Sequence, residues 1–299
     1  MPELTLPQGT INVRDTGRPD GQPIVFVHGF LTDGTLWRKV VPLLEDEFRC
    51  VWPDWPLGSH RTPMAPRTDR SPRGVAHLVA DTIAAMHLQG VTLVGNDTGG
   101  AVCQLVVTER PERIGRLVLT SCDAFDNFPP ALFRPLLVLA RIPGALTASV
   151  QPLRVRALRR LPMAYGLVTK RPIDPAVTDG WVRPFLEQRG VRRDTAALLR
   201  GMRRRDLLAA AEALRRFERP ALVAWAGEDR LFPLEHAHRL AAILPDARVE
   251  EIADSRTFLS EDQPERLADA IARFVRETAY APAATAAPAP AGAGSQPAG

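Results

Sequence analysis

The segment Leu93-Val94-Gly95-Asn96-Asp97-Thr98-Gly99-Gly100 sets a carboxylate at a glycine-flanked turn. Glycine two residues to either side of the central position, here Gly95 and Gly99, lets a chain turn sharply from a strand into a helix and expose the intervening side chain for nucleophilic attack. The context fits. Val91-Thr92-Leu93-Val94 is a short apolar run of the kind found in a buried parallel strand, and Ala101 to Val107 continues as a helix. Without further support, Asp97 is equally an ordinary helix cap.

The elements that must position this carboxylate can be read along the chain. Pro23-Ile24-Val25-Phe26-Val27-His28-Gly29-Phe30 is a second buried strand ending in a His-Gly turn, with Leu36-Trp37 opening a helical segment. Pro53-Asp54 follows the strand Arg49-Cys50-Val51-Trp52, and Gly227-Glu228-Asp229 follows Ala221-Leu222-Val223-Ala224-Trp225. In this order, from about residue 10 to 279, these motifs resemble the α/β-hydrolase superfamily, above all the branch with an aspartate nucleophile that includes haloalkane dehalogenases and epoxide hydrolases. The resemblance implies a mostly parallel, doubly wound α/β sheet with an inserted helical lid. It also implies a triad in the chain order nucleophile, acid, histidine.

The histidine is missing. It should lie in the loop after the last strand, Arg248-Val249-Glu250-Glu251-Ile252, where relatives carry Gly-His-Phe. This chain has Arg256-Thr257-Phe258, and its last histidine is His238. Thr257 therefore occupies the general-base position, and losing such a base costs about 10²- to 10⁴-fold in cleaving a covalent ester. His77 and His87, in the helical segment Pro72 to Leu88, read as structural, and His236 and His238 as surface or capping groups. His28 in the His-Gly turn and His60, on a loop at the C-terminal edge of the sheet, are the candidates to take over proton transfer.

Two acids compete for the third triad position. Asp229 follows the strand that carries the acid in most of the superfamily, and Asp123 follows Leu117 to Cys122, where some dehalogenases place theirs. Asp123, Asp126 and Asn127 are candidates to line the pocket, with Gly29, Phe30, Thr98, Tyr165 and Thr257 completing the substrate and oxyanion region. The familiar activities fit poorly. Dehalogenases hold halide with a tryptophan after the nucleophile and an asparagine after the His-Gly turn, where this chain has Thr98 and Phe30. Epoxide hydrolases use two lid tyrosines, and the only tyrosines here are Tyr165 and Tyr280. The absence of a serine at the turn disfavours serine esterases and hydroxynitrile lyases.

Length leaves room for an insertion. Residues 1–123 and 217–279 form the expected core, 124–216 a proline-broken helical lid, and 280–299 an Ala/Pro/Gly tail expected to be disordered. Phe125, Phe128, Phe133, Leu136, Leu139, Tyr165, Trp181 and Phe185 are candidates to roof an apolar cavity. The net charge is +4, and Lys39 and Lys170 are the only lysines. Arginines cluster at Arg154, Arg156, Arg159 and Arg160 and at Arg203, Arg204 and Arg205, as solvated helix faces, as an attraction for an anionic substrate, or as a contact for an anionic membrane surface. No signal for nucleic acid, no membrane span, no metal-ligand spacing and no dinucleotide fingerprint is present, so a small-molecule substrate and no cofactor are expected. Three cysteines form no disulfide framework and no signal peptide is evident, which predicts a cytoplasmic location; oligomeric state is not legible.

Three readings follow: a cofactor-free hydrolase of a small to medium apolar substrate with Asp97 as nucleophile; a lyase, isomerase or cyclase using Asp97 as acid or base; and a silent ligand binder on the same scaffold.

Overall fold

The computed structural model describes residues 2–278, so the Ala/Pro/Gly tail and Tyr280 lie outside the described residues. Two short strands, β1 (Glu3–Leu6) and β2 (Gly9–Asn12), pair as an antiparallel hairpin that the sequence reading did not anticipate. The chain then enters the main sheet with β3 (Pro23–Val27) and β4 (Arg49–Val51). The helix expected from Leu36-Trp37 is instead a pair of 3-10 turns, Gly34–Trp37 and Val41–Leu43. Asp33 caps the first turn at the Thr35 N–H, and Pro42, which has no N–H to give, opens the second.

Helix α1 (Pro72–Ala85) starts at a Ser71 cap and ends earlier than its apolar periodicity suggests, because His87 turns left-handed just past its last turn. The centre of the molecule is β5 (Val91–Asp97), α2 (Thr98–Glu109) and β6 (Ile114–Cys122); every residue of both strands is buried. After β6 come α3 (Arg134–Leu139), α4 (Ala145–Val150), α5 (Tyr165–Val168), α6 (Pro175–Glu187), α7 (Arg189–Gly201) and α8 (Arg204–Leu214). The core then resumes with β7 (Ala221–Ala226), α9 (Leu234–Ile243), β8 (Ala247–Ile252), α10 (Leu259–Asp262) and α11 (Pro264–Glu277).

The six-stranded sheet has the order β4-β3-β5-β6-β7-β8, and all its pairings are parallel. This is the α/β-hydrolase fold that the motif order implies. Continuous apolar runs such as β5 and β6 suit a sheet covered on both faces. Strand order reverses between β3 and β5, so a crevice opens beyond their carboxyl ends, where doubly wound sheets bind ligands. Asp97 and the His28-Gly29-Phe30 turn both sit there. Within the insertion, α3 and α6 each pack on α7, whereas α8 packs against α2 and α9. The sheet's own helical layer therefore resumes at α8, before the boundary at residue 216 expected from composition.

The turn at Asp97 is tightly closed. A β-carbon on Gly99 would lie 2.3 Å from the Val27 carbonyl oxygen and 2.4 Å from that of His28, both backbone atoms of the neighbouring strand end. Gly99→Ala is expected to cost about 1–3 kcal/mol through overpacking, read as a lowered urea midpoint with unchanged slope.

Candidate active site

Asp97 ends β5 with φ 55° and ψ −130°, a conformation an L-residue holds only at a cost of about 1–3 kcal/mol. The glycine on the opposing turn makes room for it: a β-carbon on Gly29 would stand 2.7 Å from that of Asp97. Two backbone donors converge on one carboxylate oxygen. Asp97 Oδ1 accepts the N–H of Phe30 at 3.2 Å and that of Thr98 at 2.5 Å. Burial pushes the Asp97 carboxyl above its ordinary range, and these N–H groups pull against that shift.

Asp97 opens into a cavity of about 360 Å³ lined by Phe30, Leu31, Phe133, Leu136, Val168, Leu199, Met202, Phe232 and Phe258, together with Thr98, Asp123 and Tyr165. Apolar walls with a few convergent polar groups are the usual form of a small-molecule site. Asp97, Asp123 and Tyr165 are its titratable residues. Asp123 is buried; Oδ2 accepts the Thr98 hydroxyl at 3.3 Å, and Oδ1 has no partner among the described residues. Burial first, and the neighbouring Asp97 charge second, push the Asp123 carboxyl well above its ordinary range. Tyr165 is not a free acid: its hydroxyl donates to the Leu31 carbonyl at 2.7 Å, and burial raises its pKa further.

Thr257 lies buried beside Asp229, to whose Oδ1 its hydroxyl donates at 3.0 Å. That oxygen also accepts the N–H groups of Leu231 and Phe232, and burial raises the Asp229 carboxyl against their pull. The loop is tied to the turn at Asp97 by Asn96, whose amide donates to the Thr257 carbonyl at 2.7 Å. Neither Thr257 nor Asp229 lines the cavity.

The two histidines expected to supply the base are both occupied elsewhere. His28 Nε2 accepts the Trp55 N–H at 2.9 Å, so its proton sits on Nδ1, which donates to the Gly29 carbonyl at 3.0 Å. Burial lowers its pKa, and it holds two loops together away from the cavity. His60 Nε2 faces Asp194 on α7 at 3.3 Å, in an ion-pair cluster with Arg70 and Arg193, and also lies outside the cavity. Asp126 turns outward to Arg204 at 3.1 Å instead of lining the pocket. His236 stacks edge-on against Phe125, His238 is exposed, and His77 pairs with Glu109.

Of the aromatic and aliphatic residues expected to roof the cavity, Phe133, Leu136 and Tyr165 line it. The others have structural partners: Phe125 lies under the Arg239 guanidinium, and the Trp181 indole donates to Thr35 Oγ1 and Asp33 Oδ1 at 2.8 and 3.1 Å. Phe232 and Phe258, which sequence reasoning missed, complete the wall. Their adjacency to Asp229 and Thr257 was the available signal. Among the described residues, no cluster of His, Cys, Asp or Glu could hold a metal ion, and no helix is long and apolar enough to cross a membrane. The three cysteines are buried and free, with burial pushing Cys50 up to about 12.

Fold and crevice together define an α/β hydrolase, and the chain belongs to the alpha/beta hydrolase fold family, whose model matches residues 22–264. It is similar to an uncharacterized hydrolase, YugF, of Bacillus subtilis, with 26% identity over 86% of this chain and 91% of the relative. It is also similar to haloalkane dehalogenase 2 of Mycobacterium tuberculosis, with 29% identity over 88% of this chain and 91% of that protein. The crystal structure of a putative ancestral haloalkane dehalogenase superposes with a TM-score of 0.76 at 22% identity, covering 93% of this chain and 99% of that one. That likeness speaks for the fold.

The raised Asp123 carboxyl has a consequence for stability. A group whose pKa is higher folded than unfolded stabilises fully below its unfolded value, about 3.9 for Asp, and that contribution is lost as pH rises through the folded value. Relative to Asp123→Asn, the wild type should therefore lose up to about 1.4 kcal/mol per pH unit above about pH 4. Urea unfolding of both proteins across acid to neutral pH measures the difference.

Proposed function

We propose that this protein is a hydrolase in which Asp97 is the nucleophile and Asp123 carries the proton that an imidazole would otherwise handle. The substrate is a small to medium apolar molecule with an electrophilic carbon bonded to a leaving oxygen, of which an epoxide is the simplest example. The observation that supports this most directly is the composition of the cavity. Its titratable groups are Asp97, Asp123 and a tyrosine whose proton is already committed to the Leu31 carbonyl.

In the first step Asp97 Oδ2 forms a bond to carbon as the carbon–oxygen bond breaks. The leaving oxygen takes the electron pair and the proton from Asp123. Burial suits Asp123 to hold that proton, as a general acid must near neutral pH. In the second step water adds to Cγ of the Asp97 ester. Negative charge develops on Oδ1, where the Phe30 and Thr98 N–H groups already point, the arrangement that stabilises an oxyanion without reorganisation. The Asp123 carboxylate takes one of the water's protons, the Cγ–Oδ2 bond breaks with its electron pair going to the product oxygen, that oxygen takes the water's other proton from the new carboxyl, and both carboxyls return to their starting states. Asp229 and Thr257 act as structural supports in this scheme.

The test is peptide mass spectrometry and product analysis after incubation with a panel of epoxides, alkyl halides and activated esters. A covalent adduct on the peptide containing Asp97, absent in Asp97→Asn, is expected. Asp123→Asn should slow turnover by about 10²- to 10⁴-fold. Thr257→His, which sets an imidazole beside Asp229, should shorten the adduct's lifetime. Undiminished product formation by Asp97→Asn would overturn the reading, and turnover without any adduct would favour a non-covalent proton-transfer enzyme.

A further inference from the structure

A second cavity, of about 510 Å³, lies on the other side of α5 from the catalytic one. Its walls carry six cationic side chains, Arg156, Arg159, Arg160, Lys170, Arg171 and Arg256, and no Asp or Glu. The carboxylates that pair with these groups stand outside the walls: Asp179 with Arg156 and Arg159, and Asp254 and Glu228 with Lys170, with Arg171 also on Asp254. Three acids thus pair with four of the six cations, and a fourth, the buried Asp262, accepts the backbone N–H groups of Lys170, Arg171 and Arg256, which leaves two positive charges in excess.

Arg160 and Arg256 have no ion-pair partner among the described residues. Arg256 Nη1 donates to the carbonyls of Gly166 and Thr169, and its Nε is buried without an acceptor. Arg159 is buried and fixed by the Leu153 carbonyl, Thr178 and Asp179, so part of the charge is recessed and rigid. A solvated helix face would spread its arginines into water. Here they converge on a volume suited to a small organic ligand, edged by Ala157, Ile173 and Pro175.

We infer that this cavity is an anion site that binds the phosphate group of a small organic phosphate. Guanidinium groups suit this ligand because their planar N–H pairs match phosphate oxygens two at a time, and a doubly charged group offsets the excess of cations. The site is physically joined to the catalytic cavity. Tyr165 lines both, Gly166 and Thr169 face the basic side, and Val168 faces the apolar side. A ligand held by Arg256 and Lys170 therefore bears on the same short helix that forms one wall of the catalytic cavity. The inference does not depend on the role proposed for Asp97.

The experiment is calorimetric titration of the full chain with pyrophosphate, against sodium chloride at matched ionic strength. Saturable heat with pyrophosphate alone is expected, together with a rise in Tm that grows with ligand concentration. Arg160→Gln combined with Arg171→Gln, both at exposed positions, should retain the unliganded Tm and weaken binding about tenfold or more. Absence of saturable heat and of a Tm rise in the wild type would overturn the inference without recourse to any variant. So would equal affinity in the double variant. Binding to phosphatidic-acid vesicles with none to free pyrophosphate would also overturn it, and would assign the arginines to a surface role.

Discussion

The candidate site depends on two backbone N–H groups meeting at one carboxylate oxygen. Phe30 belongs to the turn after β3 and Thr98 to the first residue of α2, and Asp97 Oδ1 accepts from both. For this to happen the strand must turn in a single residue, which requires the left-handed backbone at Asp97 and missing side chains at Gly29 and Gly99. The parallel sheet sets these strand ends side by side, since β3 and β5 are neighbours in register, Val27 opposite Gly95. Strain at one residue persists because its surroundings leave no alternative. Much of the nearby structure then follows as reinforcement. His28 locks the loop after β4 onto the turn that carries Phe30, and Asn96 ties the Thr257 loop to the turn at Asp97.

The loop after β8 carries Thr257 and no histidine. Thr257 donates its hydroxyl to Asp229 and so fixes the course of the loop after β8. The second carboxyl that lines the cavity is Asp123, across Thr98 from Asp97. Two buried carboxyls close together resist being ionised at once, and burial and the charge of the first push the carboxyl of the second well above its ordinary range. In the reading proposed, the nucleophile and the proton source are the same functional group, separated by environment alone.

The central strands of the sheet were legible because they are short apolar runs bounded by turn residues, and the Asp97 turn was legible because its glycines are local in sequence. What could not be read were contacts between distant segments. His28 and His60 were reasonable bases by position, but a ring nitrogen's availability depends on partners such as Trp55 and Asp194, the latter 134 residues away. Tyr165 was legible as a pocket residue, but that its hydroxyl is taken by the Leu31 carbonyl depends on a contact 134 residues away in sequence. The basic cavity draws on residues from 156 to 256, so its arginines read as separate clusters and only the fold makes them one surface.

The central claim is that Asp97 forms an ester which water cleaves at Cγ, with the oxyanion on the oxygen held by Phe30 and Thr98. Single turnover in heavy-oxygen water tests it most directly, because that step leaves the solvent's oxygen in the Asp97 side chain. The account predicts heavy oxygen on the Asp97 peptide after one turnover. Label found in the product alone, with the Asp97 peptide unlabelled, would mean that water attacks the substrate directly and would contradict it.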